Sequence, residues 1–336
     1  MKMKENVIQM HAIVCEVQRE LFTLICEHGE IHAKLRGVFY KENCIFPVVG
    51  DKVLVHFNQN GDSIIEKVLE RKSKFSRSDF SGHAAGYVKT IKEQVLAANF
   101  DYVFIVDSLN KNFNVNRITR YISVALKSGA KPVVILTKAD LCNNVDYYIK
   151  EVKSISENID ICIISAKSGI GMKQLDSYLK RGSTIVLLGS SGVGKSTLVN
   201  AIAGEELMEV SEIRENDSKG RHTTSHRQLI MLPSGVAIID TPGIRELGMW
   251  EASEGIDDTF SDIRELFGDC KYSNCTHTTE PSCAVKKAIE NKIILNERWK
   301  LYCQLKHEDE WCKNKAIYTS KQKLKNKISR IQNKIT

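Results

Sequence analysis

The sequence predicts a multidomain α/β protein with an all-β N-terminal domain, and three patterns in its 336 residues predict it. Five short β-type runs crowd the first 70 residues. From about residue 98, apolar β runs alternate with amphipathic helical segments. After about residue 250 the β runs stop, and a cysteine-histidine cluster followed by helix-like stretches takes their place. A chain of this length is expected to form about two or three domains.

The N-terminal runs are AIVCEV, FTLIC, IHAKLRGVF, KVLVHF and SIIEKVLE, separated by the turn-like stretches EHGE, VVGD and NQNGD. Five short strands in so little chain predict a closed barrel of the OB type over residues 1–72. Such barrels often bind nucleic acid, but the fold alone assigns no function. The basic, glycine-containing stretch RKSKFSRSDFSGHAAGYVK (71–89) reads as a linker or ordered arm, and residues 73–97 are assigned to a linker. The next six β runs are DYVFIVD, PVVILT, IDICIIS, TIVLLG, RQLIML and GVAIID. Segments such as NRITRYISVALKSG and GMKQLDSYLKR lie between them, so residues 98–248 predict a doubly wound sheet.

Within that sheet, Gly189-Ser190-Ser191-Gly192-Val193-Gly194-Lys195-Ser196 fits G-x4-G-K-[ST] between the strand TIVLL and the helix STLVNAIAG that Thr197 helps to open. Strand and helix are the context this phosphate loop needs. Its glycines let backbone N–H groups close around a phosphate, to which the helix N-terminus adds positive potential. Lys195 is expected to reach the β- and γ-phosphates, and the Ser196 hydroxyl to ligate Mg²⁺. Asp240-Thr-Pro-Gly243 ends the strand VAIID, 44 residues after Ser196. Asp240 suits Mg²⁺, usually through water, and the Gly243 N–H suits the γ-phosphate.

Two further loops read a base. Thr137-Lys138-Ala-Asp140 ends the strand PVVIL and resembles the [NT]-K-x-D guanine motif of GTPases. A carboxylate at Asp140 accepts from guanine N1–H and its exocyclic amine, a donor pair that adenine lacks, so GTP is selected over ATP. Lys138 is expected along the base and sugar. Thr137 stands where Asn is commoner and is expected to loosen the loop slightly. Ser165-Ala166-Lys167 follows ICII and resembles the loop whose Ala N–H meets guanine O6.

In ordinary GTPases the phosphate loop precedes the base-reading loops, whereas here it follows them. Moving the strands that end in TKAD and SAK behind the one ending in DTPG restores the usual order. The sequence therefore predicts a circularly permuted P-loop GTPase sheet, a rearrangement that neighbouring termini permit. The segment after DTPG now leads directly into the C-terminal region, so γ-phosphate contacts are expected to bear on that region.

Many GTPases place a water-orienting glutamine just after DxxG. Ile244 occupies that position here. The polar segment EVSEIRENDSKGRHTTSHR (209–227) lies where a mobile switch belongs. His222 is the candidate for orienting water, with His226 a weaker one. Thr223 or Thr224 is expected to ligate Mg²⁺, and Thr224 is favoured.

Cys270-x4-Cys275-x-His277-x5-Cys283 supplies three thiolates and an imidazole within 14 residues. Cys₃His is a closed tetrahedral zinc set with no position left for chemistry, so one structural Zn²⁺ per chain is expected in a helical domain over 249–336. Of the ten cysteines, Cys15, Cys26, Cys44, Cys142 and Cys162 are scattered singly and read as incidental thiols. Residues 285–336 carry 14 Lys and Arg against 5 Asp and Glu, so the rest of a chain with net charge +7 is slightly acidic. A tail of this kind is either a solvated end or a contact for nucleic-acid phosphates. It lacks the strong apolar face of a membrane-surface helix. No apolar run approaches the roughly 18 to 20 residues that span a bilayer. No signal peptide is read at the N-terminus, so a cytoplasmic location is expected.

The chain as a whole resembles the ribosome small-subunit-dependent GTPase A family of bacteria. The residues that carry the likeness are TKAD, SAK, GSSGVGKST, GRHTT, DTPG followed by Ile244, the cysteine-histidine spacing, and QVLAANFDYVFIVDS (94–108). The resemblance implies a GTPase acting late in small-subunit maturation and stimulated by that subunit, with His222 serving catalysis. It also implies that the barrel and the zinc domain contact ribosomal RNA. The expected partners are GTP or GDP and the small ribosomal subunit with its rRNA; no membrane is expected, and the protein is expected to be a monomer. Two rival readings stand beside it: a GTP-binding switch with negligible turnover, and a GTPase that uses its basic tail on a membrane surface.

Overall fold

A computed structural model describes residues 8–18, 20–40, 44–79, 92–209, 227–240, 253–307 and 309–310. Five strands form the N-terminal barrel: β1 (Ile8–Gln18), β2 (Leu21–Cys26), β3 (Gly29–Leu35), β4 (Lys52–Phe57) and β5 (Ser63–Val68). Closure depends on the length of β1. Its first half pairs with β4 from Ile8↔Phe57 to Ile13↔Lys52, and its second half pairs with β2 from Ile13↔Ile25 to Gln18↔Leu21. A register shift between Val14 and Glu16 bends the strand between its two partners. The order β1-β2-β3-β5-β4-β1 follows, with β3 and β5 parallel. Alternate inward residues, among them Val14, Leu24, Ala33, Val55 and Ile65, fill the interior and are fully buried.

Within residues 73–97, β6 (Lys74–Asp79) and β7 (Lys92–Ala98) pair antiparallel as a separate two-stranded sheet. Phe75, Leu96 and Ala97 are buried in the main core, and Phe75 packs against Phe100 with ring centroids 4.5 Å apart. Ser73 Oγ accepts from the Phe100 N–H at 2.8 Å, fixing the start of β6 to the entry of the next domain. A buried fork ties the barrel exit down on the other side. Arg71 Nε and Nη2 donate to the Asp51 carboxylate at 2.8 and 2.7 Å, and Nη2 also donates to Phe46 O at 2.9 Å.

The six β runs of the second domain all form strands: β8 (Tyr102–Ser108), β9 (Lys131–Thr137), β10 (Asp160–Ile163), β11 (Thr184–Leu188), β12 (Gln228–Met231) and β13 (Ala237–Asp240). They lie in the order β10-β9-β8-β11-β13-β12, parallel except for β12, which runs antiparallel to β13. Helices α1 (Val115–Lys127), α2 (Val145–Lys153) and α3 (Lys195–Ala203) are the crossovers. α1 and α2 begin at asparagine caps, Asn114 and Asn144, whose side chains accept from the N–H groups of Arg117 and Tyr147. Separate apolar cores cover the two faces of the sheet. The outer edge of β10 is closed by Gln174, whose amide both accepts from Ile163 N and donates to Ile163 O at 3.1 Å. At the opposite edge, Gln228 of β12 pairs with Glu16 of β1, so the barrel and the second sheet are continuous.

The C-terminal region holds α4 (Ser253–Thr259), α5 (Ser261–Glu265), α6 (Ala284–Glu290) and a helix over 296–307. Ile256, Phe260, Ile263, Tyr302 and Leu305 form its core. It docks on α1, where a Cβ at Gly255 would lie 1.9 Å from Ser123 O. Ser123 Oγ and Thr259 Oγ1 lie 3.0 Å apart at the same contact. Arg298 clasps the seam. It forks onto Asp262 at 2.8 and 2.7 Å and donates to Thr259 O and to the carbonyls of Ser154 and Ile155, which follow α2.

Candidate functional site

The loops singled out in the sequence leave neighbouring parallel strands at their C-terminal ends, where ligands of open α/β sheets bind. The phosphate loop follows β11. A Cβ at Gly189 would lie 2.4 Å from Val106 O on the adjacent β8, so a glycine is required for the loop to turn back over that strand. Gly192 and Gly194 take left-handed φ of 74° and 95°, which curls the chain into the first turn of α3. Lys195 arches back over this curve, its Nζ donating to Gly189 O at 2.8 Å and Ser190 O at 2.6 Å. Ser191 is exposed, Ser196 and Thr197 are half-buried on α3, and Val193 is buried beneath the loop.

The base-reading loop leaves β9 and is bonded directly to the phosphate loop. Thr137 is 2 % exposed, and its Oγ1 donates to Val193 O at 2.6 Å. Lys138, left-handed at φ 60°, donates from Nζ to Gly192 O at 2.9 Å. The threonine hydroxyl at 137 thus ties this loop to the carbonyl of Val193, with Asp107 O a second acceptor at 3.2 Å. Asp140 is exposed beyond these anchors. The loop after β10 is fastened to the same structure: Ala139 N donates to Ile164 O at 3.1 Å. Ser165 is buried, its N–H donating to Ile170 O at 2.8 Å and its Oγ accepting from Ser168 N at 3.3 Å. This turn presents half-buried Ala166 and exposed Lys167.

Asp240 ends β13, the neighbour of β11, so it lies on the phosphate-loop side of the sheet. His222, Thr223, Thr224, His226, Gly243 and Ile244 lie outside the described residues, as do residues 80–91 and the tail from Trp311 onward.

The cysteine-histidine cluster assembles. One ligand atom from each of Cys270, Cys275, His277 and Cys283 lies within 4.8 Å of all the others. His277 Nδ1 is 3.5 Å from the sulfurs of both Cys270 and Cys283, which are 4.0 Å apart. A tetrahedral zinc with ordinary bond lengths demands about 3.6 Å for S···N and about 3.8 Å for S···S, so the donor set and its spacing fit Zn²⁺. Burial alone would raise the Cys270 thiol. The N–H groups of Ala284 and Val285 and the thiols of Cys275 and Cys283 outweigh it and bring Cys270 below the usual thiol value, toward the thiolate that a metal takes.

Two contributors escaped sequence reasoning. Glu280 braces the loop of the cysteine-histidine cluster, accepting from the N–H groups of Thr276, Thr278 and Thr279 and from the Thr276 hydroxyl at 2.6 Å. Phe267 stacks on the His277 ring at 4.2 Å. The signal for Glu280 was local: a lone acid after T-H-T-T in a loop rich in unpaired N–H groups. Phe267 gave none.

Sheet order, permuted connectivity and the three interlocked loops define a circularly permuted P-loop GTPase. The chain belongs to the RsgA GTPase family, whose model matches residues 68–250. It is 43% identical over 297 residues to small ribosomal subunit biogenesis GTPase RsgA 1 of Listeria monocytogenes, covering 88% of this chain and 82% of that protein. It is 40% identical to RsgA of Methanosarcina acetivorans over 80% of this chain and 72% of the relative. Among solved structures, YjeQ from Thermotoga maritima superposes with a TM-score of 0.66 at 29% identity, covering 90% of this chain and 99% of that one. YloQ, a circularly permuted GTPase, gives 0.64 at 24% identity over 92% and 98% of the two chains, a likeness of fold.

Proposed function

We propose that this protein hydrolyses GTP to GDP and phosphate during late maturation of the small ribosomal subunit, with the subunit stimulating turnover. The observation that supports the reading is the 2.6 Å bond from Thr137 to Val193 O, which ties the loop assigned to the base to the loop assigned to the phosphates. The relatives' names supply the ribosomal partner.

In this reading Asp140 accepts the two guanine donors, Lys138 lies along the base, and Ala166 offers its N–H to guanine O6 from the Ser165–Lys167 turn. The N–H groups of Gly189–Thr197 enclose the phosphates. Lys195 exchanges its loop carbonyls for phosphate oxygens. Ser196, Asp240 and Thr224 are the residues that would hold Mg²⁺, and a cation there would neutralise negative charge on the phosphates. The Gly243 N–H senses the γ-phosphate. His222 orients the attacking water, a task Ile244 cannot perform, and a small-subunit contact completes that arrangement.

Zinc is structural, held by Cys270, Cys275, His277 and Cys283, and the barrel and zinc region contact rRNA. We assign residues 1–72 to the barrel, 98–248 to the GTPase domain and 249–336 to the zinc region. The protein works as a cytoplasmic monomer. Among the described residues no helix is long and apolar enough to cross a membrane.

The test is single-turnover GTP hydrolysis by His222→Ala in the presence of small subunits. Loss of turnover with GTP binding retained supports this reading, whereas unchanged turnover removes His222 from the mechanism.

A further inference from the structure

Behind the phosphate loop lies a buried ion pair to which the sequence reading assigned no role. Asp107, at the end of β8, is 1 % exposed. Arg117 Nη2 of α1 lies 2.9 Å from each of its carboxylate oxygens, and the Ser108 N–H donates to Oδ1 at 2.8 Å. Burial raises the Asp107 carboxyl above its ordinary value even against Arg117 and the N–H donors of Ser108 and Asn114. Two charges withdrawn from water are weak contributors to stability. Their position suggests another use.

The same Nη2 donates to the main-chain carbonyl of Asn112. Asn112 N donates to Asn110 Oδ1 at 2.9 Å, and Asn110 Oδ1 also accepts from Ser108 Oγ at 2.9 Å. The loop between β8 and α1 is thereby pinned at three points, with the Asn112 side chain exposed on its outer turn. That side chain donates from Nδ2 to Ser190 Oγ at 3.3 Å, across 78 residues of chain. Ser190 is the second residue of the phosphate loop, and its carbonyl is one of the two on which Lys195 rests. The preceding Gly189 lies against Val106 O, one residue before Asp107.

We propose that Asn112 is a positioning residue for the phosphate loop, delivered to Ser190 by the Asp107–Arg117 pair. Its amide holds the first turn of the loop in the conformation that receives a guanine nucleotide. This rests on the proposed nucleotide role of residues 189–197. The β8–α1 loop is thus a third support of that site, besides Thr137 and Lys138.

The experiment measures GDP and GTP affinity with a fluorescent guanine nucleotide for the wild-type chain, Asn112→Ala, Ser190→Ala, the double variant, and Lys111→Ala as a control in the same loop. One neutral hydrogen bond corresponds to a weakening of about three- to tenfold in each single variant. The double variant should lose no more than either single one, because both remove the same bond. Lys111→Ala should bind as the wild type does, and melting temperatures should be unchanged, since both partners are at the surface. A KM rise for GTP with kcat maintained is the matching kinetic result. Asn112→Ala binding within experimental error of the wild type, or losses that add in the double variant, overturns the proposal. A wild-type chain that binds no guanine nucleotide instead overturns the reading of the loop itself.

Discussion

Thr137 Oγ1 and the carbonyl of Val193 are 2.6 Å apart, although 56 residues separate them in the chain. This contact joins the loop that follows β9 to the loop that follows β11, across the intervening β8. The bond is buried, so its removal strands a carbonyl rather than exchanging it for water. Thr137→Val is expected to cost about 1–2 kcal/mol of nucleotide binding, roughly five- to thirtyfold in Kd, while Thr137→Ser stays near the wild type. Titration with GDP distinguishes them.

In the proposed function Asp140 selects the base. Asp140→Asn puts an amide donor against the donor face of guanine, and GTP affinity should fall by at least about a hundredfold, with ATP affinity left equally poor. Competition of GTP and ATP for the fluorescent nucleotide measures both changes.

The zinc set predicts its own stoichiometry. Elemental analysis of protein purified without chelator should find one zinc per chain, and Cys275→Ser should lower that content. Metal removal should unfold the region around α6 while leaving the barrel, whose core is separate. Hydrogen exchange resolves the two regions.

Glu280 should give the zinc loop an acid limb. The Thr276 hydroxyl and nearby N–H groups hold its carboxyl down at about 2, below the ordinary value of about 4.3. Because the folded-state value is the lower one, its contribution is fully present above about pH 4.3 and fades as pH falls toward about 2. Glu280→Gln should remove that dependence, read as the difference in melting temperature between variant and wild type against pH.

Arg298 should hold the C-terminal region on α1 and α2. Arg298→Ala removes the donor that Asp262 shares with the Thr259, Ser154 and Ile155 carbonyls, at a cost of about 1–3 kcal/mol. Gly255→Ala should act at the same seam by forcing a Cβ against Ser123 O. Limited proteolysis should then cut within α4 and α5 sooner than in the wild type.

Most of the architecture was legible because its signals are local. All six β runs from DYVFIVD to GVAIID became strands, and the phosphate and base-reading loops fell at strand ends as their motifs require. The β6–β7 pair was hidden by composition. Polar and basic residues alternate around Phe75, and the apolar surface that buries it comes from Leu96, Ala97 and Phe100 farther along the chain. The ties among loops were equally invisible. Thr137 reads as a weaker asparagine until Val193 O lies beside it, and Asn112 belongs to no motif. Such pairings depend on sheet order, which a linear pattern specifies only indirectly.

The most direct test of the central claim is steady-state GTP hydrolysis by the purified protein, alone, with small ribosomal subunits, and with large subunits as a control. A large stimulation by small subunits alone is the predicted result. Turnover unaffected by small subunits, or raised equally by large ones, would contradict the account.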